Sequence, residues 1–118
     1  MITLLFFAQA ATTDYWKTEE RSFEPYRKCM LTRAAELASS AGEITVLEAA
    51  ARSRCRPDLS VVEAEVALEA AAIASEETNG KPTLVDPTAH LTQMKQELSD
   101  DFAAAVLDAR KKTADHQK

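Results

Sequence analysis

Two cysteines flank a glycine at equal distance: Cys29 precedes Gly42 by 13 residues and Cys55 follows it by 13. Glycine tolerates backbone conformations that end a helix, and only two glycines occur in the whole chain. If the chain reverses at Gly42 between two antiparallel helices, a rise of about 1.5 Å per residue brings both thiols to the same height. A bridge further requires the Cα atoms to come within roughly 7 Å with converging side chains. The sequence therefore predicts a Cys29–Cys55 disulfide clamping a helical hairpin. In the chain-entropy picture such a clamp contributes about 3–4 kcal/mol, a large share for a small domain. The alternative is a pair of reduced, buried cysteines acting as small hydrophobes, as is common inside cells.

The flanking pattern supports helices throughout. With 118 residues the chain fits one domain, and its abundance of alanine with 6% aromatics and two glycines favours helix over strand. Ser22 and Pro25 mark the expected start of a first long helix, whose Phe23, Tyr26, Met30, Ala34 and Leu37 share a face, with Arg33 carrying its charge outward on its stem. The preceding segment Asp14–Ser22 reads as a short helix or ordered arm. Ser40-x-x-Glu43 reads as a capping box for a second helix with Ile44, Leu47, Ala51 and Cys55 on one face, broken at Arg56-Pro57. Ser60-x-x-Glu63 reads as another, opening a third helix with Val61, Ala64, Leu68, Ala71 and Ala72 inward and closing at Asn79-Gly80-Lys81-Pro82. One bent helix over 43–78 is the other option. Asp86-Pro87 starts the last helix, with Leu91, Met94, Leu98, Phe102 and Ala105 inward and a polar tail from Thr113 to Lys118. The expected fold is all-α: a small bundle of three or four helices.

The first ten residues, MITLLFFAQA, combine an apolar run from Ile2 to Ala8 with the small-x-small pattern Ala8-Gln9-Ala10. This reads as a signal peptide over 1–10, cut after Ala10, ahead of a single helical domain over 11–118. No Lys or Arg precedes the run, as in a leader shortened at its start. The competing reading packs Leu4, Leu5, Phe6 and Phe7 onto the domain. The run falls well short of the about 20 apolar residues that span a bilayer, so no stable membrane anchor is expected.

Tyr26-Arg27-Lys28-Cys29, then Arg33-Ala34-Ala35-Glu36-Leu37-Ala38 and Glu48-Ala49-Ala50-Ala51-Arg52-Ser53-Arg54-Cys55, resemble a class of small uncharacterised exported bacterial proteins. In these an aromatic-x-x-Cys helix and an Ala-rich helix with a second Cys form a hairpin behind a leader. The likeness covers about residues 1–75, and Pro57 departs from the continuous second helix of that class. It implies no activity and no catalytic residues.

Charge and motifs exclude more than they assign. A formal charge of −5 removes the general phosphate attraction behind nucleic-acid binding, and Arg110-Lys111-Lys112 falls where the last helix ends and its dipole favours cations. His116 lies in the polar tail, and His90 lies in a first helical turn, where exposure or capping is expected. A metal site from Cys29, Cys55 and His90 lacks ligand spacing on one turn, so no metal or other cofactor is expected. The carboxylate pairs Glu19-Glu20, Glu76-Glu77 and Asp100-Asp101, and Glu63, Glu65 and Glu69, read as solvated surface. No nucleophile elbow or phosphate loop is present, so no enzyme is expected. Tyr15, Trp16, Phe23 and Tyr26 serve either as core volume or as binding aromatics for a protein partner. The function expected is structure or binding by an exported, periplasmic or secreted, helical protein. The alternative is a cytoplasmic helical adaptor or regulator with reduced cysteines.

Overall fold

A computed structural model describes residues 2–78 and 86–116, with side chains described for 19–75 and 86–115. The chain forms four helices: α1 (Ile2–Leu37), α2 (Ile44–Arg54), α3 (Arg56–Thr78) and α4 (Pro87–His116). No strand occurs among the described residues. Helix α1 is the spine of the bundle, packing most extensively on α3 and α4 and then on α2.

Helix α1 begins far before the expected start, taking in the Asp14–Ser22 arm and running straight through Pro25. An interior proline removes one backbone hydrogen bond and crowds the preceding turn, at a cost of about 3 kcal/mol. Here Phe23 and Tyr26 are buried on either side of exposed Pro25, and their packing holds the helix across it. Their rings meet edge-on, with centroids 5.5 Å apart. The inward stripe continues through Met30 and Ala34 to Ala38, while Leu37 is only partly covered.

Gly42 ends the reversal with φ 158°, close to extended rather than left-handed as expected. The proposed Ser40 capping box is absent. Glu43 is the N-cap of α2 without a side-chain cap, and its carbonyl accepts from the N–H groups of Val46 and Leu47. The carbonyls of this turn are taken by a side chain from the far end of the sequence. Arg110 donates from Nε to Ala38 O at 3.0 Å, and from Nη2 to Ser40 O at 2.9 Å and Gly42 O at 3.0 Å. A cation thus sits at a helix C-terminus, as the dipole favours, but at that of α1 rather than of its own helix.

The hairpin closes as expected from the cysteine spacing. Cys29 of α1 and Cys55 are joined by a disulfide with a Cα–Cα distance of 5.9 Å. Cys55 is fully buried and forms the single-residue junction between α2 and α3. Its N–H still donates to Ala51 O and its carbonyl still accepts from Leu59 N–H, so the chain kinks there without losing those bonds. Pro57, which has no N–H to give, falls in the first turn of α3, where none is needed.

This early start overturns the expected face of α3. The helix begins at Arg56, not Ser60, and Leu59, Val62 and Val66 continue inward from Cys55 at spacings of three and four. Val61 and Leu68, expected in the core, are 62% and 73% exposed, and Ala64, Ala71 and Ala72 are exposed with them. The turn expected at Asn79–Pro82 lies outside the described residues.

Helix α4 starts as the sequence indicates. Asp86 Oδ1 accepts from Thr88 N–H at 3.0 Å and Ala89 N–H at 3.3 Å. Leu91, Met94, Leu98 and Phe102 point inward, joined by Val106 rather than the half-covered Ala105. The expected polar tail is helical as far as His116, with Thr113 donating back to Ala109 O.

Candidate functional site

Because α1 runs on from Phe23 toward its start at Ile2, Glu19 joins the inward stripe one turn before Phe23. Its side chain is 0% exposed, and its Oε2 lies 3.6 Å from Nε2 of His90 on α4. Burial is the main force on this carboxyl, disfavouring its charged form. A hydrogen bond shared with Glu69, and the negative charges of Glu69, Glu65 and Asp86, add to the effect. Together they raise its pKa from 4.5 to about 8. At neutral pH Glu19 therefore tends to hold its proton. This junction of α1, α3 and α4 corrects two expectations: Glu19 and Glu69 face inward rather than to water, and His90 is 19% exposed beside a buried acid rather than a surface group. The signal was legible as spacing, since Glu19 precedes Phe23 by four residues and Tyr26 by seven.

In front of His90 a groove of about 420 Å³ runs between α1 and α4. Phe23, Met94 and Leu98 form its floor, while Glu20, Glu24, Glu97 and Asp101 supply acidic walls. Arg27 is the one cation among the lining residues and is engaged by Glu24 at 3.9 Å and by Asp101 across the helices at 3.6 Å. The walls keep a surplus of negative charge, suited to a cationic ligand. Glu19 lies behind the wall and has no surface open to this groove.

A second groove, of about 390 Å³, lies over Tyr26, Met30 and Leu59 and is edged by Arg52, Lys95 and Gln96. Burial pushes the Tyr26 phenol up from its ordinary pKa, and the charge and hydrogen bond of Arg52 pull it partly back. Glu48 ties the edge together, accepting from Ser99 at 3.1 Å and pairing with Arg52 at 3.5 Å. Glu48 offsets one of the groove's two cations, Arg52 and Lys95, so this groove carries a single surplus positive charge against the larger negative surplus of the first groove.

Of the residues singled out from sequence, Cys29 and Cys55 are brought together, and bonding to each other takes both sulfurs out of any metal site with His90. Tyr26 and Phe23 belong to the core. Ala10, Tyr15 and Trp16 lie along α1, with side chains outside those described. Among the described residues no group of three His, Cys, Asp or Glu is arranged to hold a metal ion. Among them, too, no helix is long and apolar enough to cross a membrane. No protein-family model, curated protein or solved structure matches the chain.

Proposed function

We propose that this is a small exported helical protein, periplasmic or secreted, that acts by binding rather than by catalysis and offers the α1–α4 groove to a basic protein segment. The observation that carries the reading is the Cys29–Cys55 bridge, which joins a partly covered cysteine of α1 to a fully buried one, since such bonds persist in oxidising compartments. The apolar run before Ala10 supports export. The groove supports binding: an apolar floor with four carboxylates around it matches a segment carrying both Lys or Arg and apolar side chains. Glu20, Glu24, Glu97 and Asp101 would steer and orient the ligand, and Phe23, Met94 and Leu98 would take its apolar contacts.

The test is made on protein purified from its native host under thiol-blocking conditions. A sequence beginning at Ala11, with no thiol labelled before reduction, is the expected result. An intact Met1 with two labelled thiols returns the chain to a cytoplasmic adaptor. Binding is read separately by titrating a synthetic Lys/Leu amphipathic peptide. Affinity should fall steeply with salt and drop several-fold in E97K/D101K; salt-independent binding, or none, removes the groove from the proposal.

A further inference from the structure

Helix α3 carries a second apolar face that the fold leaves uncovered. Val61, Ala64, Leu68 and Ala71 recur at three and four residues on the side opposite Val62 and Val66, and the same register runs back through Pro57 to Val46 on α2. Every position of this register from 46 to 75 is exposed and none is charged. It holds three of the four large hydrophobic residues that stand exposed among those described: Val46, Val61 and Leu68. A helix that is apolar on both sides is ordinarily covered on both, and an uncharged strip of this length marks an interaction surface.

We infer that this face pairs with the same face of a second copy of the chain, the two α3 helices lying antiparallel about a two-fold axis level with residue 66. Two features of the sequence fit that occupant. With the axis there, Leu68 of each copy comes level with Ala64 of the other, and Val61 with Ala71, so a large side chain meets a small one at each step. The charges of α3 are complementary end to end as well. Exposed Arg56 opens the helix just after Arg54 at the end of α2, with Asp58 the one acidic residue of the first turn, and Glu76-Glu77 occupy the last turn, where the helix dipole disfavours acids. An antiparallel neighbour lays the basic end of one copy alongside the acidic end of the other. With the axis at residue 66 the two faces overlap from about residue 57 to 75, about 28 Å at 1.5 Å per residue and about 10 Å wide, roughly 280 Å² per copy against the ~800 Å² of a standard interface. A contact of that size makes a weak dimer that dissociates on dilution.

Sedimentation equilibrium over a concentration series tests this on the full chain. A reversible monomer–dimer equilibrium is expected, with L68E and V61E each raising the dissociation constant by roughly 100-fold. Both positions are exposed in the single chain, so helical circular dichroism in dilute solution should match the parent protein. R54E/R56E and E76K/E77K should each self-associate less than the parent and associate with one another when mixed. A chain that stays monomeric up to about 1 mM overturns the inference, as does a dimer indifferent to L68E and V61E. Monomeric protein that binds phosphatidylcholine vesicles through Leu68 overturns it too, and assigns the face to a membrane surface.

Discussion

Among the described residues, Glu19 is the charged side chain that the fold buries. Facing it are Glu65 and Glu69 from α3, the cap residue Asp86 and His90 from α4, so its proton is held by the fold rather than by its own chemistry. The folded pKa of about 8 lies above the ordinary 4.5. Between those values the folded chain binds a proton that the unfolded chain has released, so the contribution of Glu19 to stability is full below pH 4.5 and is lost as pH rises through 8. Urea unfolding at pH 5, 7 and 9 should show the parent protein losing stability relative to E19Q as pH rises. Glutamine keeps a neutral donor at the site and removes the titration, and parallel profiles for the two proteins would refute the assignment. That this carboxyl is buried was readable only from its phase with Phe23 and Tyr26. Its identity and its neighbour Glu20 both point to water, and a charge pattern does not say which face a helix turns inward. Arg110 was likewise assigned to the end of its own helix, because nothing local in sequence says which carbonyls a side chain will reach 68 to 72 residues away.

At the scale of elements, the last helix was legible because local chemistry and packing agree there. Asp86-Pro87 supplies both a cap and a preset first turn, and the stripe of α4 follows from it. Where two local signals compete, tertiary packing chose. Pro25 is a helix starter by rule, yet Phe23 and Glu19 gave the preceding turn enough buried surface to continue the helix through it. In α3 the Ser60 motif set the wrong phase, because the junction at Cys55 fixes which side faces α1. Apolar residues on both sides of the helix left the sequence without a contrast to correct it. The two faces should differ sharply on truncation. V62A, at a fully buried position, should cost about 2 kcal/mol, whereas L68A should cost less than about 0.5 kcal/mol in dilute solution. Denaturant midpoints with unchanged slopes would establish the difference, and equal losses would contradict the orientation of α3.

For the whole molecule, the hairpin was legible because it depended on counting: equal distances from Gly42 and a rise per residue that helices share. The disulfide closes a separation of 26 residues, for which chain entropy gives about 3.5 kcal/mol. Reduction without alkylation should lower the melting temperature by about 10–15 °C, as should C29A/C55A, measured by calorimetry at matched concentration. Insensitivity to reductant would mean that core packing alone carries the bundle. The three hydrogen bonds of Arg110 carry a consequence for the order of assembly. Residues are synthesised in chain order, so both cysteines and the first bend are made before α4. The carbonyls of the first bend stay in water until Arg110 has been synthesised and reaches them, which makes the earliest turn in the chain among the last to be completed.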